Sequence, residues 1–272
     1  MTLPTPAADR TCLVTGASSG IGAEMARDLA SRGHGVTLVA RREAVLQELA
    51  AELTKAHDVR VEVLSCDLTD PDARAALADR TTELGLTVDV LINNAGLSTI
   101  GPASGADRDG EMRMIRTNVE AVVDLCVIFL PGMVARRRGA ILNTASVGAF
   151  QPLPGQAGYA ATKAFVLSYG RAIREELKGS GVTVTTLCPG PVETGFAEAA
   201  GFDAAEAEAA LPKFMWESAE TVGKAGIAGL DRGTEVVIPG RANWVGAVAG
   251  HLTPKKLLVP ILARQHPALK GS

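Results

Sequence analysis

The chain has 272 residues, of which 47% are hydrophobic and 21% charged, so it can bury one substantial core. The formal net charge is −3 with both signs interspersed, so nucleic acid is not an expected partner. Four scattered cysteines and four histidines form no C-x-x-C pair and no metal-ligand spacing, so we expect reduced thiols and no metal site.

The N-terminal segment Met1–Arg10 lacks the basic and then apolar order of a secretory signal. No uncharged apolar run reaches the ~18 residues that a membrane-spanning helix needs. We therefore expect a cytoplasmic protein without a transmembrane segment.

Short β-branched runs alternate with longer segments of helical periodicity along most of the chain. Apolar strands separated by helices predict an α/β fold, a doubly wound parallel seven-stranded sheet with helices on both faces. Its ligand crevice would lie at the carboxyl ends of the strands. We expect a single domain over residues 1–240 and a C-terminal extension over residues 241–272. The predicted strands are Thr11–Thr15, Val36–Ala40, Val59–Ser65, Val88–Ile92, Gly139–Thr144, Val182–Leu187 and Glu235–Ile238.

A glycine-rich turn, T-G-A-S-S-G-I-G, joins the first predicted strand to the helix that follows it. Glycines let the backbone turn tightly and approach a diphosphate, whose charge is favoured at a helix N-terminus. An ordinary βα turn is the alternative. The candidate cofactor contacts in this turn are Gly16, Ser18, Ser19, Gly20, Ile21 and Gly22.

The second strand ends at Ala40, where a carboxylate would bind an adenosine ribose, and Arg41 and Arg42 follow it. A guanidinium suits a 2′-phosphate, so this pattern favours NADP(H) over NAD(H). A solvated start of the next helix is the alternative.

Two further turns follow predicted strands at the same sheet edge. Asp67, with Leu68 after it, can accept a hydrogen bond from the adenine amino group or serve as a helix N-cap. The N-N-A-G turn puts Asn94, Ala95 and Gly96 on the crevice floor, unless it is a plain turn.

A long helical segment, Asp107–Arg137, carries one amide, Asn118, among apolar residues. A polar amide inside a helix costs stability unless it is hydrogen-bonded. Asn118 is expected either to kink the helix or to bind a water that leads protons toward Lys163.

Ser146, Tyr159 and Lys163 combine into a candidate acid–base centre. Residues four apart on a helix share a face, so Tyr159 and Lys163 project together. A neighbouring ammonium is expected to lower the pKa of Tyr159 and make it a usable proton donor. Ser146, from the preceding loop, can bond the same substrate oxygen.

The sixth strand runs into L-C-P-G-P-V-E-T, a turn stiffened by two prolines. Its backbone and one threonine can hold a nicotinamide carboxamide. The segment Gly195–Trp216 then predicts either a helical lid over a substrate pocket or a surface helix. The candidate nicotinamide contacts are Pro189, Gly190, Val192 and Thr194.

From Thr11 to about Gly240 these motifs, in this order, resemble the short-chain dehydrogenase/reductase family. The resemblance implies a Rossmann-type sheet and hydride transfer between nicotinamide and a carbonyl carbon. Tyr159 would be the acid/base, oriented by Ser146. Lys163 would bind the nicotinamide ribose, and Asn118 would support a proton relay. Family members commonly form homodimers or homotetramers, which here would bury Asp107–Arg137 and Tyr159–Gly179.

The extension from residue 241 carries an apolar helical stripe, Trp244, Val245, Val248 and Leu252. We expect it to pack over the substrate entrance or on a neighbouring subunit. Peripheral contact with a membrane surface, through basic flanks, is the alternative.

The function indicated is an NADP(H)-dependent oxidoreductase that interconverts a carbonyl and an alcohol, reducing a hydrophobic ketone or aldehyde. A 3-oxoacyl, steroid-like or xenobiotic carbonyl fits this description. An NAD-dependent alcohol dehydrogenase is the first alternative, and a non-catalytic NADP-sensing regulator is the second. Substrate selection is expected in Leu97–Ala106, Gly148–Gly158 and Gly195–Trp216.

Overall fold

The computed structural model describes residues 3–193, 212–265 and 267–269 of the chain. Its strands are β1 (Arg10–Thr15), β2 (Val36–Ala40), β3 (Val61–Ser65), β4 (Thr87–Asn93), β5 (Gly139–Thr144), β6 (Val182–Leu187), β7 (Val192–Glu193), β8 (Glu217–Ser218) and β9 (Val236–Val237). The main sheet has seven strands in the order β3-β2-β1-β4-β5-β6-β9. Every neighbouring pair in it is parallel. The predicted seven-stranded parallel sheet is therefore confirmed.

Strand bounds agree with the sequence pattern to within one residue at each end in the five inner strands of the sheet. β2, β5 and β6 have the predicted bounds, whereas β3 begins at Val61 rather than Val59. β9 is shorter than predicted because only Val236 and Val237 pair with β6. Both shortened strands lie at sheet edges, where hydrogen bonds on one side alone define the ends.

Helices cover both faces of the sheet. One face carries Met25, Leu49 and Ile227 in a continuous core, and the other carries Leu125 and Ile173. The layered arrangement predicted from the alternating pattern is confirmed. The α-helices are α1 (Gly20–Ser31), α2 (Glu43–His57), α3 (Pro71–Glu83), α4 (Arg108–Ile115), α5 (Ala121–Ala135), α6 (Ala157–Glu176), α7 (Ala219–Asp231), α8 (Arg241–Leu252) and α9 (Lys255–Gln265).

The helical segment predicted over Asp107–Arg137 contains an irregular turn. Helices α4 and α5 are joined by a π-helical turn, Arg116–Glu120. By length and composition alone, Arg108–Ala135 is the one described helix that passes a test for membrane spans. The core helix of a soluble protein can have the same length and composition, and 39% of the most apolar stretch of this helix is buried. The side chain of Asp124 on α5 pairs with Arg74, 2.6 Å away, so this helix is tied to α3.

The extension packs on the loop that follows Ser146. The rings of Phe150 and His251 meet edge to face at 6.3 Å. A Cβ added to Gly250 of α8 would overlap the Gln151 side-chain amide, so this side chain lies directly against the α8 backbone. Lys255 Nζ also donates to the Phe150 carbonyl oxygen at 3.3 Å. Helix α8 therefore lies beside the loop where substrate selection is expected.

Candidate active site

The glycine-rich turn packs directly against the N-N-A-G turn. Gly16 and Gly20 have φ angles of 66° and 56°, in the left-handed region that favours glycine. A Cβ added to Gly16 would lie 2.8 Å from the Ala95 Cα, and one on Gly22 would lie 2.5 Å from Asn94 Nδ2. Only glycine lets these two turns approach so closely.

Asn94 joins the carboxyl ends of three central strands. Its backbone N–H donates to Thr15 Oγ1 at 3.0 Å, and its Nδ2 donates to the Thr15 carbonyl oxygen at 3.2 Å. Its Oδ1 accepts a 3.5 Å hydrogen bond from Thr144. The ends of β1, β4 and β5 are thus held together along the predicted crevice.

The start of α1 fits the diphosphate of a dinucleotide. Ser19 occupies the N-cap in an extended conformation, and its side chain makes no capping hydrogen bond. Backbone N–H groups at a helix N-terminus favour an anion. Together with the bare α-carbons of Gly16 and Gly22, this end of α1 has the shape and polarity that such a cofactor needs. Ile21 is partly buried in the first turn of α1.

Arg42 reaches from the end of β2 to the glycine-rich turn. Its Nη2 lies 2.9 Å from both Ser18 Oγ and Ser19 Oγ, and all of these contacts are exposed. The adjacent Arg41 is also exposed, next to the buried Ala40. Two guanidinium groups and two hydroxyl groups therefore share the edge where an adenosine ribose is expected.

Asp67 is not the N-cap of α3. Asp70 caps that helix by accepting from the N–H groups of Asp72 and Ala73. Asp67 Oδ1 instead accepts from the backbone N–H and the hydroxyl of Thr69, both at 2.9 Å. The hydrogen bond from the Thr69 backbone is the main reason that the pKa of Asp67 is lowered. Asp67 is exposed, and the neighbouring Leu68 is buried.

Ser146 and Tyr159 are joined by a hydrogen bond between their side chains. Ser146 Oγ also accepts from the Gly148 N–H at 3.1 Å, which fixes the serine at the start of the short turn Val147–Phe150. The pKa of Tyr159 is raised, because burial outweighs the hydrogen bond from Ser146. The prediction that Lys163 lowers the pKa of Tyr159 is therefore wrong.

Lys163 is a buried ammonium beside this pair. Its side chain is almost fully enclosed, and Nζ donates to the Thr144 carbonyl oxygen at 2.9 Å. Nζ also lies 5.8 Å from the centre of the Tyr159 ring. Burial lowers the pKa of Lys163 to about 8. The bare α-carbon of Gly96 faces the amine, since a Cβ there would be 3.3 Å from Nζ.

Asn118 lies inside the π-helical turn and is 1% exposed. Its Oδ1 accepts from the Leu97 N–H at 2.8 Å, and its Nδ2 donates to the Leu97 carbonyl oxygen at 2.9 Å. Nδ2 also donates to Thr162 Oγ1 at 3.0 Å, one residue before Lys163. The irregular turn thus holds the loop after β4 against α6.

The proline-rich turn after β6 borders the same centre. The Pro189 carbonyl oxygen accepts from the Val147 N–H at 2.9 Å, next to Ser146. Val192, in β7, pairs with Glu217 of β8. Thr194 lies outside the described residues, as does most of the predicted lid segment Gly195–Trp216.

Two groups near the centre were not predicted. Asn243, from the extension, packs against Gly190. The available signal was a lone amide among the mostly small and apolar residues of α8. Glu111 of α4 accepts from the Thr99 hydroxyl at 2.5 Å and lies against Gly158, directly before Tyr159. Nothing in its local sequence distinguishes Glu111 from a solvated helix residue.

The parallel sheet, the glycine-rich first turn and the Ser-Tyr-Lys centre define a nucleotide-dependent oxidoreductase of the α/β class. The family model for short chain dehydrogenases matches residues 10–204. This chain therefore belongs to the short-chain dehydrogenase/reductase family, whose enzymes act on CH–OH groups or carbonyls.

Relatives of this chain include named reductases. Sulfoacetaldehyde reductase 2 of Chromohalobacter salexigens is 39% identical over 186 residues, 68% of this chain and 73% of that protein. Very-long-chain 3-oxoacyl-CoA reductase of Anas platyrhynchos is 32% identical over 256 residues, 91% of this chain and 78% of that protein. A short-chain dehydrogenase from Sphingobium yanoikuyae, solved in complex with NADPH, has a TM-score of 0.79 and 37% identity, covering 89% of this chain and 92% of that one.

The buried amine of Lys163 predicts an unusual dependence of stability on pH. Its pKa is about 8 in the folded chain and lower than the ordinary value of 10.5, so the unfolded chain binds more protons between these values. The unfolding free energy of the wild type, minus that of Lys163→Met, should therefore rise by about 1–3 kcal/mol from pH ~7 to ~10. Urea unfolding at several pH values measures this difference.

Lys224→Met is the control for the direction of this effect. The hydrogen bond with Glu220 raises the pKa of the exposed Lys224. The unfolding free energy of the wild type, minus that of Lys224→Met, should therefore fall at high pH. If the difference in unfolding free energy between the wild type and Lys163→Met stays constant with pH, the lowered pKa of the buried Lys163 is contradicted.

Proposed function

We propose that this chain is an NADP(H)-dependent oxidoreductase that reduces a hydrophobic ketone or aldehyde. The observation that carries the cofactor preference is the contact of Arg42 with Ser18 and Ser19, beside Ala40. A guanidinium there supports a 2′-phosphate, whereas the carboxylate that would favour NAD is absent from that position. A relative of known structure was solved with NADPH, which also supports the proposal.

The proposed catalytic roles follow from the contacts of the four polar residues. Bound NADP(H) would supply the hydride that is exchanged with the carbonyl carbon. Tyr159 is protonated at neutral pH, since burial keeps its pKa above the ordinary value for tyrosine, and it gives its hydroxyl proton to the carbonyl oxygen. Ser146 donates a hydrogen bond to the same oxygen and holds it in place.

Lys163 and Asn118 act behind the tyrosine in this proposal. Burial lowers the pKa of Lys163 to about 8, so its amine can exchange a proton near neutral pH. We assign Lys163 to the nicotinamide ribose and to the return of a proton to Tyr159. Asn118 lies in a π-helical turn, a feature frequent at functional sites, and would hold a water on that path.

We infer the substrate class from two loops that border the centre, Leu97–Ala106 and Gly148–Gly158. The Gly101 N–H donates to the Gly155 carbonyl oxygen at 2.9 Å, and Gln156 Nε2 donates to Ser98 Oγ at 3.1 Å. These bonds join the two loops into one wall with few charges. A 3-oxoacyl group suits such a wall, and the relative from Anas platyrhynchos is named for that activity. Steroid-like and xenobiotic carbonyls are the other members of the proposed class.

We also propose that two copies pair through α5 and α6. Val127 on α5 is 61% exposed and Phe165 on α6 is 42% exposed, and Phe165 stacks on Tyr169 at 5.9 Å. Apolar side chains on adjacent helices are typical of a subunit interface. Leu257 and Ile261 on the extension are exposed as well, and either a neighbouring subunit or a membrane surface would cover them.

Removal of the two arginine side chains should weaken NADPH binding selectively. We expect Arg41→Ala/Arg42→Ala to bind NADPH at least about tenfold more weakly, or ~1.4 kcal/mol, with NADH changed much less. Fluorescence titration of the reduced cofactors measures both dissociation constants. Arg60→Ala, at the opposite end of the sheet, is the matched control. Equal or tighter NADH binding by the wild type would favour the NAD-dependent alternative.

The proton-transfer role of Tyr159 is tested with the two tyrosines of the chain. Tyr159→Phe removes the hydroxyl and should lower kcat for carbonyl reduction by at least ~100-fold, with NADPH binding nearly unchanged. Tyr169→Phe, on the same helix, should keep its activity. Full turnover by Tyr159→Phe would rule out the role, and a wild type that binds NADPH but turns over no carbonyl would favour the sensing regulator.

A charge on α5 should dissociate the proposed dimer. Val127→Asp would place a carboxylate in the apolar interface, so light scattering should report a monomer at micromolar concentration. Val245→Asp, at an equally exposed valine of α8, should leave the assembly intact. If Val245→Asp dissociates the assembly and Val127→Asp does not, the interface lies on the extension. If neither variant changes the assembly, neither surface forms the interface.

A further inference from the structure

Asn243 is a buried amide on an otherwise exposed part of the extension. It is 1% exposed, whereas its neighbours Trp244 and Val245 are 55% and 58% exposed. A buried polar side chain costs free energy unless its polar atoms find partners. The burial of Asn243 therefore calls for a specific function.

The amide nitrogen of Asn243 holds two chain segments together. Nδ2 donates to the Met215 carbonyl oxygen at 3.0 Å and to the Pro239 carbonyl oxygen at 3.1 Å. Met215 lies just before β8, and Pro239 follows β9. Both hydrogens of the amide group are thereby used, so the orientation of the amide plane is fixed.

The same amide lies flat against Gly190. A Cβ added to Gly190 would overlap Cγ and Oδ1 of Asn243 and would lie 2.5 Å from Nδ2. Gly190 is not among the residues with a positive φ angle. Glycine is therefore required at this position by the space that Asn243 occupies, and not by the backbone conformation.

Few other contacts hold the turn that contains Gly190 in its conformation. Pro189 and Pro191 have no N–H group, so the turn is anchored through carbonyl oxygens. The Pro189 oxygen accepts from Val147, and the Pro191 oxygen accepts from the Glu217 N–H at 3.1 Å. Asn243 presses on the residue between these two anchors. Within the described part of the chain, Asn243 Oδ1 has no hydrogen-bond partner.

We propose that Asn243 is a positioning residue for the nicotinamide half of the cofactor. It holds the Pro189–Val192 turn in the conformation that receives the nicotinamide carboxamide. The inference rests on the proposed NADP(H)-dependent function. It makes the extension a structural part of the cofactor site, in which Asn243 acts through the turn that it holds.

The test compares a whole cofactor with a fragment that lacks nicotinamide. Calorimetry with full-length Asn243→Ala should show NADPH bound about tenfold more weakly, with 2′,5′-ADP bound within about twofold of the wild type. A general loss of structure would weaken both ligands alike. Val245→Ala, on the same helix, is the matched control and should bind both ligands as the wild type does. Asn243→Ser gives the same comparison if the alanine variant does not fold.

A double substitution tests the contact itself. Gly190→Ala should weaken NADPH binding because the new methyl group collides with the Asn243 amide. Removal of that amide makes room, so Gly190→Ala/Asn243→Ala should bind NADPH at least as tightly as Gly190→Ala alone. Losses that simply multiply would show that the two residues act independently.

Two results would overturn the inference while leaving the proposed function intact. One is a wild type that binds NADPH together with an Asn243→Ala variant that binds it equally well. The other is a variant that loses NADPH and 2′,5′-ADP by the same factor. A wild type that binds neither NADPH nor NADH would instead refute the proposed function, and the inference with it.

Discussion

The hydrogen bond from Lys163 to the Thr144 carbonyl oxygen is the constraint on which the centre depends. It brings an ammonium group out of water and holds it at the end of β5, at 2.9 Å. Burial of that charge is unfavourable, as the lowered pKa of Lys163 shows. This unfavourable burial occurs where α6 packs against the sheet. The same helix brings Tyr159 to Ser146.

The turns at this edge of the sheet support one another. Asn94 bonds to the end of β1 and accepts from Thr144. Asn118 bonds to the backbone N–H and carbonyl oxygen of Leu97, and to Thr162 on α6. Each contact joins segments that are distant in the chain. Buried polar groups that are satisfied in this way rigidify a site. The extension adds a further contact at this edge of the sheet, where the Asn243 amide packs against Gly190.

Local patterns were sufficient for the sheet. Apolar runs and helical periods are repeated within a few residues, so β2, β5 and β6 were predicted to the residue. The bounds of β3 and β9 were less accurate, since an edge strand ends where its single neighbour ends. The π-helical turn at Arg116–Glu120 was not predicted as such, because it depends on the tertiary contact between Asn118 and Leu97.

The sequence by itself determined the family and the doubly wound sheet, and it predicted the Ser-Tyr-Lys group as the candidate centre, because these are encoded in residue types at short, fixed spacings. Only the tertiary structure decided which arginine reaches the glycine-rich turn, that burial raises the pKa of Tyr159, and that Asn243 lies against Gly190. These properties depend on distances between residues far apart in the chain and on the exclusion of water. Neither quantity is present in a local pattern of residues.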